Sequence, residues 1–153
     1  MTVKSVKKHI EEGELNLAII EMDTSTATVK LAAKALGVQP GQIAKTMALR
    51  LKERDILIVA KGDVKIDNKK FRNYFKEKAR FIKPDELEEA TGHPVGGVCP
   101  FGLSKPLDIY LDISLKEFDY VYPAAGGINT CIKIEVDYLS EVTKGTWVDI
   151  CKG

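Results

Sequence analysis

Twelve consecutive residues, Thr91-Gly92-His93-Pro94-Val95-Gly96-Gly97-Val98-Cys99-Pro100-Phe101-Gly102, hold most of what this sequence offers for chemistry. Four glycines and two prolines in that span cannot continue a helix or sit inside a sheet. Glycine permits close backbone approach and proline fixes direction, so the stretch reads as a shaped loop presenting main-chain N–H groups. Such a loop can cradle a phosphate or stabilise an oxyanion, and it can equally be a tight structural connection. His93 and Cys99 stand six residues apart within it. A Cys–His hydrolase needs a thiolate paired with an imidazole, and nothing in the spacing shows that these two meet. Cys99 also reads as a small packed side chain, and His93 as a local hydrogen-bonding group or a cleft-lining one. Lys45, in Gly41-Gln42-Ile43-Ala44-Lys45-Thr46, stands near the start of an apolar segment, where an ammonium can reach a cleft and anchor a phosphate or carboxylate. A solvated strand-end lysine is the alternative. Ala125-Gly126-Gly127 is a second turn that exposes backbone. No Gly-x-Ser-x-Gly elbow, Walker loop or dinucleotide fingerprint is present.

The elements that must position these residues follow from apolar periodicity and punctuation. Val3, Val6, Lys7 and Ile10 predict a helix stopped by Gly13, and Leu15 to Met22 a strand. Thr26 is expected to cap a helix running to Leu36, with Gly37 just past its end. After a Pro40-Gly41 turn, Ile43 to Leu51 reads as a strand that forms a hairpin with Ile56 to Ala60. Asp67 is an expected N-cap for a basic helix through Lys78, and Pro84 opens an acidic helix ending near Ala90. Strands are expected at Leu107 to Leu111, Cys131 to Val136 and Thr146 to Ile150, with a helical turn around Leu115 to Phe118. Trp147 is expected in the core. Strands and helices in irregular order point to an α+β fold with a mixed sheet and argue against a doubly wound nucleotide fold.

The 153 residues, 44% hydrophobic and 29% charged, suit one domain with one substantial core. No apolar run is long enough to span a bilayer and the N-terminus lacks a signal-peptide core, so a cytoplasmic location without membrane association is expected. Three scattered cysteines suit free thiols, and with two histidines no metal motif arises. Net charge is +1, but residues 65 to 83 carry Lys65, Lys69, Lys70, Arg72, Lys76, Lys78, Arg80 and Lys83 against Asp67 and Glu77. That stretch reads as a solvated helix face or as a surface for a polyanion.

In order, these motifs resemble the YbaK/prolyl-tRNA synthetase editing-domain family. Gly41 to Thr46 looks like its lysine-threonine strand, and Ile56 to Gly62 with Asp63 like its apolar strand ending in Gly-Asp. Thr91 to Gly102 looks like its TG…GG-x-x-P-F-G loop, and Ala125-Gly126-Gly127 with Trp147 to Ile150 like its closing elements. The resemblance covers about Leu17 to Ile150. It implies a mixed, partly barrel-like sheet surrounded by helices in a single domain over residues 1–153. It also implies a trans-acting deacylase that hydrolyses the ester of mischarged tRNA, removing a small amino acid such as cysteine or alanine from tRNA-Pro. The partners implied are the acceptor end of an aminoacyl-tRNA and a synthetase, and no cofactor or metal is implied. Lys45 matches the family lysine that handles the terminal adenosine or its phosphate. Gly96, Gly97, Val98, Cys99 and Pro100 match the loop that contacts the aminoacyl group and carbonyl. Thr46, His93, Phe101, Gly102, Gly126 and Gly127 are carried over as substrate-binding positions. Position 99 is serine in the family pattern, and cysteine there changes the hydrogen bonding. The aromatic and acidic pocket positions of the family have no counterpart at Ile20, Ala27 or Asn129-Thr130, which leaves the amino acid open. An aminoacyl ester is already activated, so positioned water and backbone N–H groups can hydrolyse it without a protein nucleophile. A catalytically silent tRNA- or synthetase-binding module of the same fold is the alternative.

Overall fold

The Ile56 to Ala60 run organises the fold. In the computed structural model, which describes residues 2–153, these five residues are fully buried, as a strand covered on both faces must be. In chain order the elements are α1 (Thr2–Glu12), β1 (Ile19–Glu21), α2 (Val29–Leu36), β2 (Ile43–Arg50), β3 (Asp55–Lys61), β4 (Lys65–Ile66), α3 (Asn68–Phe75) and α4 (Pro84–Thr91). Then come β5 (Asp108–Asp112), a 3-10 turn (Ile113–Glu117), β6 (Tyr120–Pro123), β7 (Thr130–Ile132), β8 (Ile134–Glu135), α5 (Val136–Thr143), β9 (Thr146–Val148) and β10 (Cys151–Lys152). Six strands form one curled mixed sheet in the order β8-β6-β2-β3-β5-β9, and β1–β7 and β4–β10 form two small antiparallel ladders. Within the sheet β2–β3 is the antiparallel hairpin, while β2–β6, β3–β5 and β5–β9 run parallel. The α+β class with a mixed, partly barrel-like sheet surrounded by helices is the expected one.

One core joins Val6 of α1 and Leu139 of α5 to Val59, Leu111, Val121 and Ile134 of the sheet, together with Cys99 and Phe101. The other places Phe71 of α3 against Leu49, Ile56, Ile58, Tyr110 and Ile150. Asp67 caps α3 as expected, accepting from the Lys69 and Lys70 N–H groups.

Several boundaries differ from the sequence reading. Thr28, not Thr26, caps α2: its hydroxyl accepts from the Leu31 N–H at 3.1 Å, whereas the Thr26 N–H donates to the Ile128 carbonyl at 2.6 Å. The Leu15 to Met22 strand is confined to Ile19–Glu21, because only those residues find a partner, β7. The basic helix ends at Phe75, where Lys76 takes a left-handed conformation (φ 62°). The Cys131 to Val136 run divides into two short strands, and Val136 opens α5, a helix the sequence reading lacks, as it lacks β6. Trp147 is half-buried: its ring borders the core, its N–H donates to Ser140 Oγ at 3.1 Å, and Lys116 Nζ lies 4.4 Å from its ring centre. Among the described residues no helix is long and apolar enough to cross a membrane.

Candidate functional site

The site begins where β2 parts from its neighbour. β6 accompanies β2 only through Ile43–Tyr122 and Ala44–Pro123, and a further segment meets β2 at Ala48, whose carbonyl accepts from the Ile82 N–H at 3.0 Å. Between them Thr46 faces a gap. Leu51 donates to Arg54 on the β3 side and Arg50 to Arg80 on the other, so odd-numbered residues of β2 bond to β3 and even-numbered ones turn away. The main-chain N–H and carbonyl of Thr46 therefore point into the gap.

The gap is the floor of a cleft of about 200 Å³. Lys45, Thr46, Gly96 and Val98 line it, with Ala27 and Val29 near the start of α2, Leu87 of α4, Tyr122 and Ala124 from the β6 end, and Thr130 and Cys131 of β7. α4 is tied to the hairpin by Arg50, which bonds Asp55 at 2.9 Å and Glu86 at 2.8 Å.

The glycine loop is fixed mainly by backbone. α4 ends at Gly92 (φ 83°), whose N–H donates to Glu88, and the Thr91 hydroxyl accepts from the His93 N–H at 3.1 Å. Pro94 to Gly97 make a tight turn closed by Gly97 N–H to Pro94 carbonyl at 3.0 Å, with the positive φ at Gly96 (88°) that a type II turn needs. The Gly97 carbonyl then accepts from the Gly126 N–H at 3.0 Å, so the two glycine turns lock together. The Gly97 N–H is thus committed inside the loop, whereas those of Gly96 and Val98 have no backbone partner among the described residues.

Lys45 and the loop meet at one cleft, but several other sequence-derived candidates do not line it. His93 and Cys99 do meet, with Sγ 3.6 Å from Nε2, which the spacing had not shown. Both are fully buried behind the loop. His93 Nε2 lies 2.6 Å from the Phe101 carbonyl, so that nitrogen must carry the proton and donate it. It has no lone pair for the thiol, which is itself directed at the same carbonyl at 3.5 Å. Burial pushes the Cys99 thiol up to about 12 and lowers the His93 pKa, with the Phe101 hydrogen bond opposing the latter. Buried, and directed at a carbonyl oxygen, Cys99 sits here as a packed thiol, and this arrangement lends no support to a thiolate nucleophile. Phe101 packs in the core beside His9, Gly102 packs against the backbone of Ser5 and Val6 in α1, and Pro100 is buried. Gly126 and Gly127 support the loop from the side: a Cβ on Gly97 would lie 2.8 Å from the Gly126 carbonyl carbon and 2.9 Å from the Gly127 nitrogen.

The Lys45 ammonium donates to the Val64 carbonyl, on the turn that follows Gly62-Asp63. Burial lowers its pKa, and electrostatic interactions with Cys151 and Asp63 oppose that shift. Of the basic stretch, Arg72, Lys76, Lys78 and Arg80 join Lys52 and Glu77 around a surface groove of about 360 Å³, whereas Lys70 is paired with Asp149 at 3.0 Å. The sequence reading had left Val29, Leu87, Tyr122 and Cys131 out of the site, and no local motif marks them. Ala27 and Thr130, two of the positions where the family pattern has no counterpart here, do line the cleft, and Ile20 does not.

Comparison with known proteins identifies the family and the fold. Residues 23–142 match the model of the aminoacyl-tRNA editing domain. The uncharacterized protein YwhH of Bacillus subtilis (strain 168) is 46% identical over 99% of this chain and 98% of its own. A proline–tRNA ligase of Bacillus licheniformis is 30% identical over 69% of this chain, which matches only 18% of the ligase. The crystal structure of a candidate trans-editing enzyme for prolyl tRNA synthetase superposes with a TM-score of 0.91 at 29% identity, covering 99% of this chain and 98% of that one. With the family model spanning most of its length, this chain belongs to the aminoacyl-tRNA editing domain family.

Proposed function

We propose that the protein is a trans-acting aminoacyl-tRNA deacylase that hydrolyses the ester of a small amino acid misattached to tRNA. The observation that carries this is the cleft itself, where the open edge of β2 at Lys45-Thr46 and residues Gly96 and Val98 of the glycine loop line one space of about 200 Å³. The reaction adds water across the ester, releasing the free amino acid and the tRNA with its terminal hydroxyl restored. No carboxylate or imidazole lines the cleft, so binding and polarisation carry the rate. In this reading the N–H groups of Gly96 and Val98 receive charge developing on the acyl oxygen, and donors of this kind are worth about 3 kcal/mol each in hydrolases. Lys45, half-buried and tethered through Val64, supplies a cation to the terminal ribose or phosphate.

The walls contributed by Ala27, Val29, Val98 and Cys131 leave room for a short side chain, in keeping with alanine or cysteine. The likeness to part of a proline–tRNA ligase and to a candidate trans-editing enzyme for prolyl tRNA synthetase supports tRNA-Pro as carrier and a synthetase as partner, in the cytoplasm. His93, Cys99, Pro100, Phe101, Gly102, Gly126 and Gly127 act by shaping the loop. The lack of a carboxylate or imidazole among the described residues that line the cleft also favours a second reading, a binding module without turnover.

Deacylation of tRNAs charged with cysteine, alanine, serine, threonine or proline, by wild type and Lys45→Ala, decides between them. Release of one amino acid that depends on Lys45 is expected. tRNA binding without release from any of them would establish the binding module instead.

A further inference from the structure

We propose that Thr46 reads the α-amino group of the acyl moiety, so that the cleft takes a free α-ammonium and rejects an N-acylated one. The inference rests on the deacylase reading and adds what the cleft demands of its substrate. Three observations carry it. The register of the β2–β3 hairpin turns the Thr46 N–H and carbonyl away from β3, and β6 and the Ile82 segment leave that one position of the ladder open. The Thr46 hydroxyl is a buried side-chain oxygen without a hydrogen-bond partner among the described residues, a state that carries a cost unless something completes it. The third observation is that no carboxylate lines the cleft, so an ammonium entering it must be met by carbonyl and hydroxyl oxygens.

An aminoacyl group has the donors to meet those oxygens. Its ammonium donates to the Thr46 carbonyl and hydroxyl, as the N–H of a peptide does when it extends a sheet edge. Held there by its amine, the aminoacyl group leaves its acyl oxygen free for the N–H groups of Gly96 and Val98, which line the same cleft. N-acetylation removes the charge and two of three donors, and sets a second carbonyl against that of Thr46. A hydrogen bond to a charged group carries enough energy for a tenfold or larger effect on rate.

The test compares alanyl-tRNA with N-acetylalanyl-tRNA on wild type, Thr46→Val and Thr46→Ser. Wild type is expected to prefer the free amine in kcat/KM by at least a hundredfold, Thr46→Val to shrink that preference about tenfold, and Thr46→Ser to keep it. A merely structural role for Thr46 would slow both substrates alike and leave their ratio unmoved. A wild-type ratio near one, or a ratio that Thr46→Val does not change, overturns the proposal while leaving the deacylase reading intact. Should wild type cleave neither ester, the deacylase reading fails and binding decides. The Thr46 amide resonance is then followed in ¹⁵N-labelled protein against an alanyl-adenosine carrying an amide in place of the ester, with a free or an acetylated amine. A shift with the free amine alone supports the proposal, and no shift at Thr46 overturns it.

Discussion

Replacing Gly97 by alanine tests the claim that backbone contact between two turns builds the cleft. The added Cβ would lie 2.8, 2.9 and 3.0 Å from the carbonyl carbon of Gly126, the nitrogen of Gly127 and the carbonyl oxygen of Gly126. All three are main-chain atoms, so no side chain can swing aside. The turns must separate by several tenths of an ångström, which weakens the Gly126 N–H to Gly97 carbonyl bond. Overpacking of about 1–3 kcal/mol and loss of a hydrogen bond worth about 1 kcal/mol give a destabilisation of roughly 2–4 kcal/mol. For a chain of this length that lowers Tm by roughly 4–16 °C, measured by calorimetry alongside urea denaturation. Displacing Gly96 and Val98 relative to β2 is expected to reduce deacylation about a hundredfold in the surviving folded protein. Val95→Ala, in the same turn but 56% exposed, is the control and should change stability by under about 0.5 kcal/mol. A Gly97→Ala protein with wild-type stability and wild-type deacylation would refute the reasoning.

The remaining predictions concern the residues around that loop. Cys99→Ser is expected to retain deacylase activity and lose about 1–2 kcal/mol of stability, because a more polar hydroxyl replaces a buried thiol; a hundredfold loss of rate without unfolding would restore a chemical role for the thiol. Lys45→Met removes a desolvated charge together with its bond to Val64, so stability should stay within about 1 kcal/mol of wild type while deacylation falls at least tenfold. His93 has its pKa lowered by burial, so the unfolded chain binds the proton first. The stability due to its neutral form is therefore present above about pH 6.5 and is lost as pH falls through the lower folded pKa, and His93→Gln should flatten that dependence in urea titrations from pH 7 to 4. Gly62→Ala would drive a methyl into the Pro40 carbonyl oxygen and the Val29 side chain, and should yield little soluble folded protein, judged by recovery and circular dichroism.

Elements with strong local chemistry were legible before any coordinates. The β2–β3 hairpin followed from two apolar runs around a charged turn, the cap of α3 from Asp67, and the start of α4 from Pro84. The glycine loop and Lys45 were singled out for their chemistry, and the fold brings both to one cleft. What escaped depends on partners distant in sequence. The strand-like Cys131 to Val136 run hides the start of α5, whose buried Val136 and Leu139 show helical spacing only once β8 ends at Glu135. β6 is four residues closing on a proline, too short to show a period. The open position at Thr46 belongs to no motif, because it arises where two neighbours of β2 stop short of each other.

Four backbone bonds knit the rim: Gly126 to Gly97, Thr26 to Ile128, Met22 to Asn129 and Ala125 to Thr130. Their atoms belong to the peptide unit, which every replacement but proline preserves. The side chains of Ala27, Val29, Val98 and Cys131, which line the cleft, contribute to none of these four ties. Frame and wallpaper are therefore separable. A lineage can enlarge, narrow or polarise the chamber one residue at a time and keep the glycine turn in place, so, on the proposed function, a gene duplicate of this domain can be retuned to a different misattached amino acid without rebuilding its frame.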